Sequence, residues 1–164
     1  MKLSEIQPQQ YEQLHSEHSY WDEKIKAIAQ KEQLPFETLC RFSYGGTIVY
    51  SLDERVVIKL FPSFDQQEFL IEQEILQHLK HHPLPVEVPE LIGVGKFEGW
   101  SYVTMNQVEG NLLVELWDAL SFNEKKLIAC DLGLLIQKVH ALPTGSLVES
   151  EIKWEQFITE QWIG

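Results

Sequence analysis

The sequence is short of basic residues and of cysteine, and both shortages exclude classes of protein. Thirteen lysines and arginines stand against twenty-five aspartates and glutamates, a formal charge of −12, so the basic surface that binds nucleic acid is missing. The two cysteines, Cys40 and Cys130, lie far apart in the chain and fit neither a disulfide framework nor a zinc site. We therefore expect a protein of the reducing cytoplasm with no nucleic-acid partner.

Long hydrophobic runs are missing as well. No apolar stretch approaches the roughly 18 residues of a membrane span, and the segment Met1 to Pro8 lacks the apolar core of a signal peptide. Apolar residues nevertheless make up 44% of the 164 residues, enough to bury the core of one domain. The sequence therefore predicts a soluble protein with no membrane partner.

Three regions of different composition divide the chain. Residues 1–34 are polar with one apolar helical face, formed by Trp21, Ile25, Ile28 and Ala29, and predict a helical cover. Residues 35–110 alternate short β-branched segments with one amphipathic helix, and residues 111–164 read as helices. The predicted fold class is therefore α+β, an antiparallel sheet of about five strands with a packed helix, followed by a short helical segment. The expected strands cover 39–42, 47–50, 56–61, 91–97 and 100–105, and the expected helices cover 65–80, 112–120 and 121–142.

One lysine and one glutamate in the middle region fit together as an ion pair. Lys59 ends the run Val-Val-Ile-Lys on the third predicted strand, a context in which kinases bind phosphates, although a lysine pointing into solvent explains it equally well. Glu72 emerges from the apolar face of the next helix, where a carboxylate needs a cation. Glu68 and Glu74 are alternatives, one near the helix start and the other on a polar face.

Gly45 and Gly46, followed by Thr47, lie between the first two predicted strands. Paired glycines are common in two-residue hairpins for steric reasons alone, but they also let backbone N–H groups approach phosphate oxygens. Neither a complete G-x-G-x-x-G nor a G-x-x-x-x-G-K-[ST] motif is present. The order of a glycine-bearing hairpin, a strand lysine, an acidic helix and a second hairpin predicts a kinase-like N-terminal lobe.

Over roughly residues 20–160 the sequence resembles the aminoglycoside phosphotransferase family of small-molecule kinases. No single motif carries the resemblance, which rests on an ordered set. Its parts are Phe42 to Thr47, Val56 to Phe61, Glu72 with Leu76 and Leu79, Val88 to Leu91, Gly99 to Met105 and on to Gly110, Val139 to Leu142, and Trp154 to Gln161. The family implies ATP-dependent transfer of a phosphoryl group to a hydroxyl of a small, often cationic, acceptor.

The resemblance also implies roles for individual residues. Lys59 would hold the α and β phosphates of ATP, and Glu72 would orient Lys59. The segment formed by Gly45, Gly46 and Thr47 would cover the phosphates. At the base, the resemblance assigns the lining of the adenine pocket to Met105 and the hinge contacts to the Asn106 carbonyl and the Val108 amide.

The catalytic segment that the family implies is missing from these 164 residues. That segment carries a His-Gly-Asp sequence and an asparagine, with a second aspartate for magnesium, whereas His140 is followed by Ala141 and no aspartate occurs after Asp131. Asp131 opens an Asp-Leu-Gly sequence, but within a predicted helix. We therefore expect no catalytic or metal-binding residue here, and we interpret the chain as a nucleotide-binding lobe with hinge (residues 35–110) and the start of an incomplete C-lobe (residues 111–164). Such a chain would be inactive alone and would bind an acceptor only with a C-lobe supplied.

A non-catalytic binding or assembly module is the alternative. The last predicted helix carries an apolar stripe from Ile128 to Leu142 and should pack against a partner along its whole length. If nothing in this chain covered the stripe, it would form a large apolar patch. A homo-oligomer joined through the stripe would then be expected.

Overall fold

The computed structural model describes residues 1–43 and 45–143. Five strands form one antiparallel sheet with the spatial order β1-β2-β3-β5-β4, which confirms the predicted α+β class and the strand number. Tyr44 and residues 144–164, among them the segment Trp154 to Gln161, lie outside the described residues. The strands are β1 (Leu39–Arg41), β2 (Ile48–Leu52), β3 (Val56–Phe61), β4 (Leu91–Phe97) and β5 (Trp100–Asn106).

The helices are α1 (Pro8–Leu14), α2 (His18–Lys31), α3 (Gln66–His81), α4 (Leu113–Leu116) and α5 (Phe122–His140), with 3₁₀ turns at Leu3–Glu5, Ser63–Asp65 and Trp117–Ala119. The sequence did not predict α1, and the helix expected over 112–120 is a short α4 followed by a 3₁₀ turn. In the described part of the chain, no helix combines the length and the apolar character that a bilayer crossing requires.

One face of the sheet is covered by α2, and the larger apolar cluster lies between them. The four apolar residues of the predicted helical face, Trp21, Ile25, Ile28 and Ala29, are all completely buried, because positions i, i+4, i+7 and i+8 fall on one side of a helix. They share a cluster with the strand residues Ile48, Tyr50, Leu52, Ile58, Leu60, Trp100 and Tyr102. The helix ends at Lys31, before the expected Leu34, since Gln33 adopts a positive φ of 56°.

The opposite face carries a smaller apolar cluster beneath α3. Successive side chains of a strand alternate between faces, so Val57 and Phe61 of β3 point to this side together with Val103 and Met105 of β5. Phe69 and Leu76 of α3 pack with them. Lys59 lies between Val57 and Phe61 in β3 and therefore belongs to the same face.

Gly95 of β4 lies opposite Tyr102 of β5, and the space above it is taken by the tyrosine ring. A Cβ at Gly95 would lie 2.5 Å from Tyr102 Cζ. The ring is completely buried, and its hydroxyl is fixed by hydrogen bonds with Glu32 and Lys31, so it has no room to move.

Gly95→Ala should therefore lower the free energy of unfolding by about 1–3 kcal/mol, as overpacking of a filled site does. Urea unfolding followed by tryptophan fluorescence measures this change. The matched control is Gly133→Ala in α5, where no described residue outside the helix's own backbone lies within 4 Å of the added methyl group and a helical alanine should raise stability by about 0.5–1 kcal/mol. Equal stability of Gly95→Ala and the unmodified chain would contradict the argument.

The described residues do not include the partner against which the apolar stripe of α5 is expected to pack. No residue of α5 is buried. Leu132 and Val139 of the predicted stripe are 47% and 43% exposed, while Ile128 and Leu135 are half-buried. The apolar pattern indicates a helix face that is suited to packing, but residues 1–43 and 45–143 supply too little surface to cover it.

Candidate functional site

Lys59 lies on the central strand of the sheet, on the face that α3 covers. It pairs with Val49 of β2 on one side and with Val103 of β5 on the other. Its ammonium lies 5.1 Å from the centre of the Phe61 ring, and its side chain is 23% exposed. The charge thus lies between an apolar floor and solvent, where its attraction to an anion is stronger than in bulk water.

Glu72 of α3 meets Lys59, as the helix pattern predicted. Lys59 Nζ donates a hydrogen bond to Glu72 Oε2, and the carboxylate is 25% exposed. Phe69 and Leu76, three residues before and four after Glu72, are buried and turn this side of α3 toward the sheet. An ammonium has three N–H donors, and among the described residues Glu72 is its acceptor, so two donors remain for an anionic ligand.

The glycine segment connects β1 to β2. Arg41 pairs with Tyr50, and Phe42 donates its N–H to the Val49 carbonyl, so the register of the two strands centres this connection on Gly45 and Gly46. Gly45 has a φ of +99°, and no residue that the structure describes, apart from chain neighbours, lies within 4 Å of a Cβ placed on either glycine. Because Ile48 pairs with Leu60, the loop lies at the end of the sheet where Lys59 is found.

A tyrosine that the sequence did not single out holds this loop. Tyr11 of α1 donates its hydroxyl to the Gly46 carbonyl at 2.5 Å. Burial raises the pKa of Tyr11 to about 12, so the hydroxyl carries its proton at neutral pH. The two residues are 35 positions apart, and no local pattern in the sequence connects them.

The end of β5 and the residue that follows it are held in place at the other end of the sheet. Met105 is buried beneath α3 in the smaller cluster. Asn106 exchanges hydrogen bonds with Glu90, which donates its N–H to Asn106 Oδ1 at 2.5 Å. Gln107 donates its N–H to the Arg55 carbonyl at 2.8 Å and accepts a hydrogen bond from Ser51 Oγ at 2.5 Å. No local pattern in the sequence indicates the contact between Ser51 and Gln107.

The backbone N–H of Val108, which follows this anchored segment, is available as a hydrogen-bond donor. Its N–H forms no hydrogen bond to any residue that the structure describes. Asn106 pairs with Val56 and Lys59 pairs with Val103, so the hinge lies three strand residues, about 10 Å, from the lysine. That separation is comparable to the length of a nucleotide from its base to its first phosphates.

The structure thus places the predicted site residues in order along the length of the sheet. Lys59 and Glu72 are in contact, Gly45, Gly46 and Thr47 lie at one end, and Asn106 and Val108 lie at the other. A hollow of about 410 Å³ beside Glu72 is lined by residues of α3 alone. Such an arrangement can bind an elongated ligand that is anionic at one end and flat and hydrogen-bonding at the other.

Side chains that could bind a metal ion do not cluster in the described part of the chain. Within residues 1–43 and 45–143, no three histidine, cysteine, aspartate or glutamate side chains lie close enough together to hold an ion. Asp131 lies on α5 and is exposed.

Comparisons with known proteins agree with the fold of the described residues. The GDP and kanamycin complex of APH(2")-IIia and the GDP complex of wild-type aminoglycoside 2'-phosphotransferase-IIIa both have a TM-score of 0.64 and 18% identity, covering 79% of this chain and 44% of theirs. The streptomycin-ATP-APH(2")-IIa ternary complex has a TM-score of 0.56 and 19% identity, covering 77% and 44%. No curated protein matches the chain.

The five-stranded sheet with α3 is therefore a kinase-like N-lobe, and the chain spans less than half the length of these solved structures. A family model described as the phosphotransferase enzyme family matches residues 47–157, a range that includes Lys59, Glu72 and the hinge. Since this match covers well over half of the 164 residues, the chain belongs to the phosphotransferase enzyme family, which confirms the resemblance to aminoglycoside phosphotransferases.

Proposed function

We propose that the chain binds ATP and forms the nucleotide-binding half of a phosphotransferase that acts on a hydroxyl of a small molecule. The observation that carries this proposal is the Lys59–Glu72 ion pair, set beneath α3 between a glycine loop and a segment that ends in the unpartnered Val108 amide. A strand lysine that is oriented by a helix carboxylate is suited to binding phosphate oxygens.

Each predicted residue has a role that its chemistry supports. The two remaining donors of Lys59 bind the α and β phosphates, and Glu72 keeps the ammonium in place by an ion pair and a hydrogen bond. Gly45, Gly46 and Thr47 offer backbone N–H groups to the phosphates, because no side chain obstructs an approach at the two glycines.

The other end of the site receives the adenine. Met105 lines the apolar side of that pocket, where burial of the flat ring is favourable. The Asn106 carbonyl accepts from the base and the Val108 amide donates to it. The anchored position of Gln107 between them keeps these two backbone groups at a fixed spacing, which favours recognition of one base edge.

The acceptor is proposed to be a cationic small molecule of the aminoglycoside kind. Kanamycin and streptomycin are bound in two of the similar structures, and a formal charge of −12 favours a cationic ligand. Residues 1–164 contain no His-Gly-Asp sequence, so transfer requires catalytic groups that this chain does not provide. The unpaired thiols of Cys40 and Cys130 suit the cytoplasm, where ATP is available.

A non-catalytic assembly module remains the second candidate. The exposure of Leu132 and Val139 on α5 favours it, because an uncovered apolar helix face is typical of a surface that contacts another chain. The two candidates differ in whether the Lys59 face binds a nucleotide.

Isothermal titration calorimetry of the unmodified chain separates them. We expect ATP with magnesium to bind at a single site per chain, with weaker binding at higher ionic strength because the contact is largely electrostatic. A phosphorylation assay with kanamycin should show no turnover by this chain alone. Absence of nucleotide binding would favour the assembly module, and turnover would contradict the view that the catalytic groups lie outside these residues.

A further inference from the structure

The carbonyl of Gly46 has an unusual partner for a loop of this kind. The loop lies at the end of the sheet near Lys59, yet the acceptor of its Gly46–Thr47 peptide group is engaged by Tyr11 of α1, which packs against the apolar cluster beneath α2. The tyrosine ring is held edge-on by Trp21, Trp100 and Phe64, at centroid distances of 6.0, 5.7 and 5.9 Å. A ring fixed on several sides keeps its hydroxyl at one place.

Because a peptide bond is planar, the hydrogen bond from Tyr11 to the Gly46 carbonyl also fixes the direction of the following N–H. In a trans peptide the C=O and the following N–H point in opposite directions, and the described residues contain no cis peptide. Trp21 and Trp100 belong to the apolar cluster on the face away from Lys59, so Tyr11 draws the Gly46 carbonyl toward that side. The Thr47 N–H must then point away from α1, toward the side of Lys59.

The Thr47 N–H is also available. It forms no hydrogen bond to any residue in the described ranges, although an amide donor near a folded sheet normally finds an acceptor. Thr47 comes two residues before Val49, which pairs with Lys59. The free donor and the ammonium are therefore near neighbours on one side of the sheet.

We propose that Tyr11 is a positioning residue, which orients the Gly46–Thr47 peptide so that the Thr47 N–H donates to a phosphate of the nucleotide. This inference rests on the proposed function and extends it, since it makes the N-terminal helix α1 part of the phosphate site without any contact between Tyr11 and the ligand. The Tyr11 hydroxyl acts by fixing the plane of the Gly46–Thr47 peptide. The tyrosine ring only holds the hydroxyl in position.

The variant Tyr11→Phe tests this, because it removes the hydroxyl and keeps the ring. Calorimetry should show a Kd for ATP raised about three- to tenfold, the usual range for one lost hydrogen bond, and an unchanged Kd for adenosine, which has no phosphate. The matched control is Tyr20→Phe, whose hydroxyl donates to the Met1 carbonyl at 3.2 Å and whose ring also packs on Trp21. It should leave both constants unchanged.

Each other outcome overturns the inference in a recognisable way. An unchanged Kd for ATP in Tyr11→Phe, together with a loss in Lys59→Met, would reject the role of Tyr11 and leave the proposed function intact. An equal loss for ATP and adenosine would show that Tyr11 only supports the fold. Failure of the unmodified chain to bind ATP would reject both proposals.

A second measurement does not depend on the variant folding. In nitrogen-15 spectra of the unmodified chain, the Thr47 amide signal should shift when ATP is added and should stay in place with adenosine. A Thr47 amide that is indifferent to ATP, while signals around Lys59 move, would overturn the inference.

Discussion

Replacement of Lys59 by methionine is expected to weaken binding of ATP with magnesium by about tenfold to a hundredfold. A hydrogen bond to a charged group contributes about 1.5–3 kcal/mol, which corresponds to that range. Methionine keeps most of the apolar stem of the side chain, so the contact with Phe61 is largely retained and the change isolates the ammonium. Calorimetry at low ionic strength measures the effect.

The carboxylate left behind contributes to that loss. Without the ammonium, Glu72 stands unpaired close to the expected phosphates and repels them. The double variant Lys59→Met with Glu72→Gln should therefore regain part of the affinity that the single variant loses. Equal affinities of the single and double variants would mean that Glu72 does not face the ligand.

The control for Lys59 is Lys24→Met. Lys24 is also paired with a carboxylate, Glu98 at 2.8 Å, and is also mostly covered, but it belongs to α2 on the opposite face of the sheet. Its replacement should leave the affinity for ATP unchanged. If Lys24→Met and Lys59→Met lowered the affinity equally, the loss would reflect general charge and not a contact.

The variant Trp21→Ala should have the largest effect on stability, a loss of about 3–5 kcal/mol in the free energy of unfolding. Trp21 is completely buried, lies 5.7 Å from the Trp100 ring and donates its indole N–H to the Leu14 carbonyl at 2.7 Å. Its loss therefore opens a cavity between α2 and the sheet and leaves the Leu14 carbonyl with one hydrogen bond fewer, since the Glu17 N–H still donates to it at 2.8 Å. The total free energy of unfolding of a domain of this size is about 5–15 kcal/mol.

Urea unfolding measured by far-ultraviolet circular dichroism tests this prediction, since the variant removes a fluorescent residue. Trp117→Ala is the control, because Trp117 is 42% exposed and its ring lies 5.1 Å from the Lys125 ammonium. It should change stability by no more than about 1 kcal/mol. Similar losses for the two variants would contradict the central place of Trp21 in the core.

Much of the fold could be predicted because its signals are local. The strands around Lys59 and the hairpin joined at Gly99 follow from short β-branched runs and turn residues, and their observed bounds differ from the expected ones by a few residues at most. The helix α1 was missed because Tyr11 and Leu14 are too few to form an apolar face. The partner of α5 could not be predicted, because an apolar stripe indicates that a helix face can pack and does not identify the surface that packs on it.

The same distinction applies to the site. The Lys59–Glu72 contact was predictable because the strand context and the helix face each constrain one partner, and the secondary structure between them is short. The contacts of Tyr11 with Gly46 and of Ser51 with Gln107 join residues 35 and 56 positions apart. Such contacts depend on how the elements are stacked, which no periodicity in the sequence encodes.

The helices on the two faces of the sheet are packed to different extents, so we expect one of them to detach more readily than the other. The residues beneath α2 are almost all inaccessible to solvent, whereas four of the six in the cluster beneath α3 remain 7% exposed. Detaching α3 from the sheet therefore takes less free energy than global unfolding. The amide protons of α3 should exchange with solvent through this local opening, while the cluster beneath α2 stays packed. A ligand that bridges Lys59 and the glycine loop would suppress this opening, so its binding energy would appear first as slowed exchange in α3.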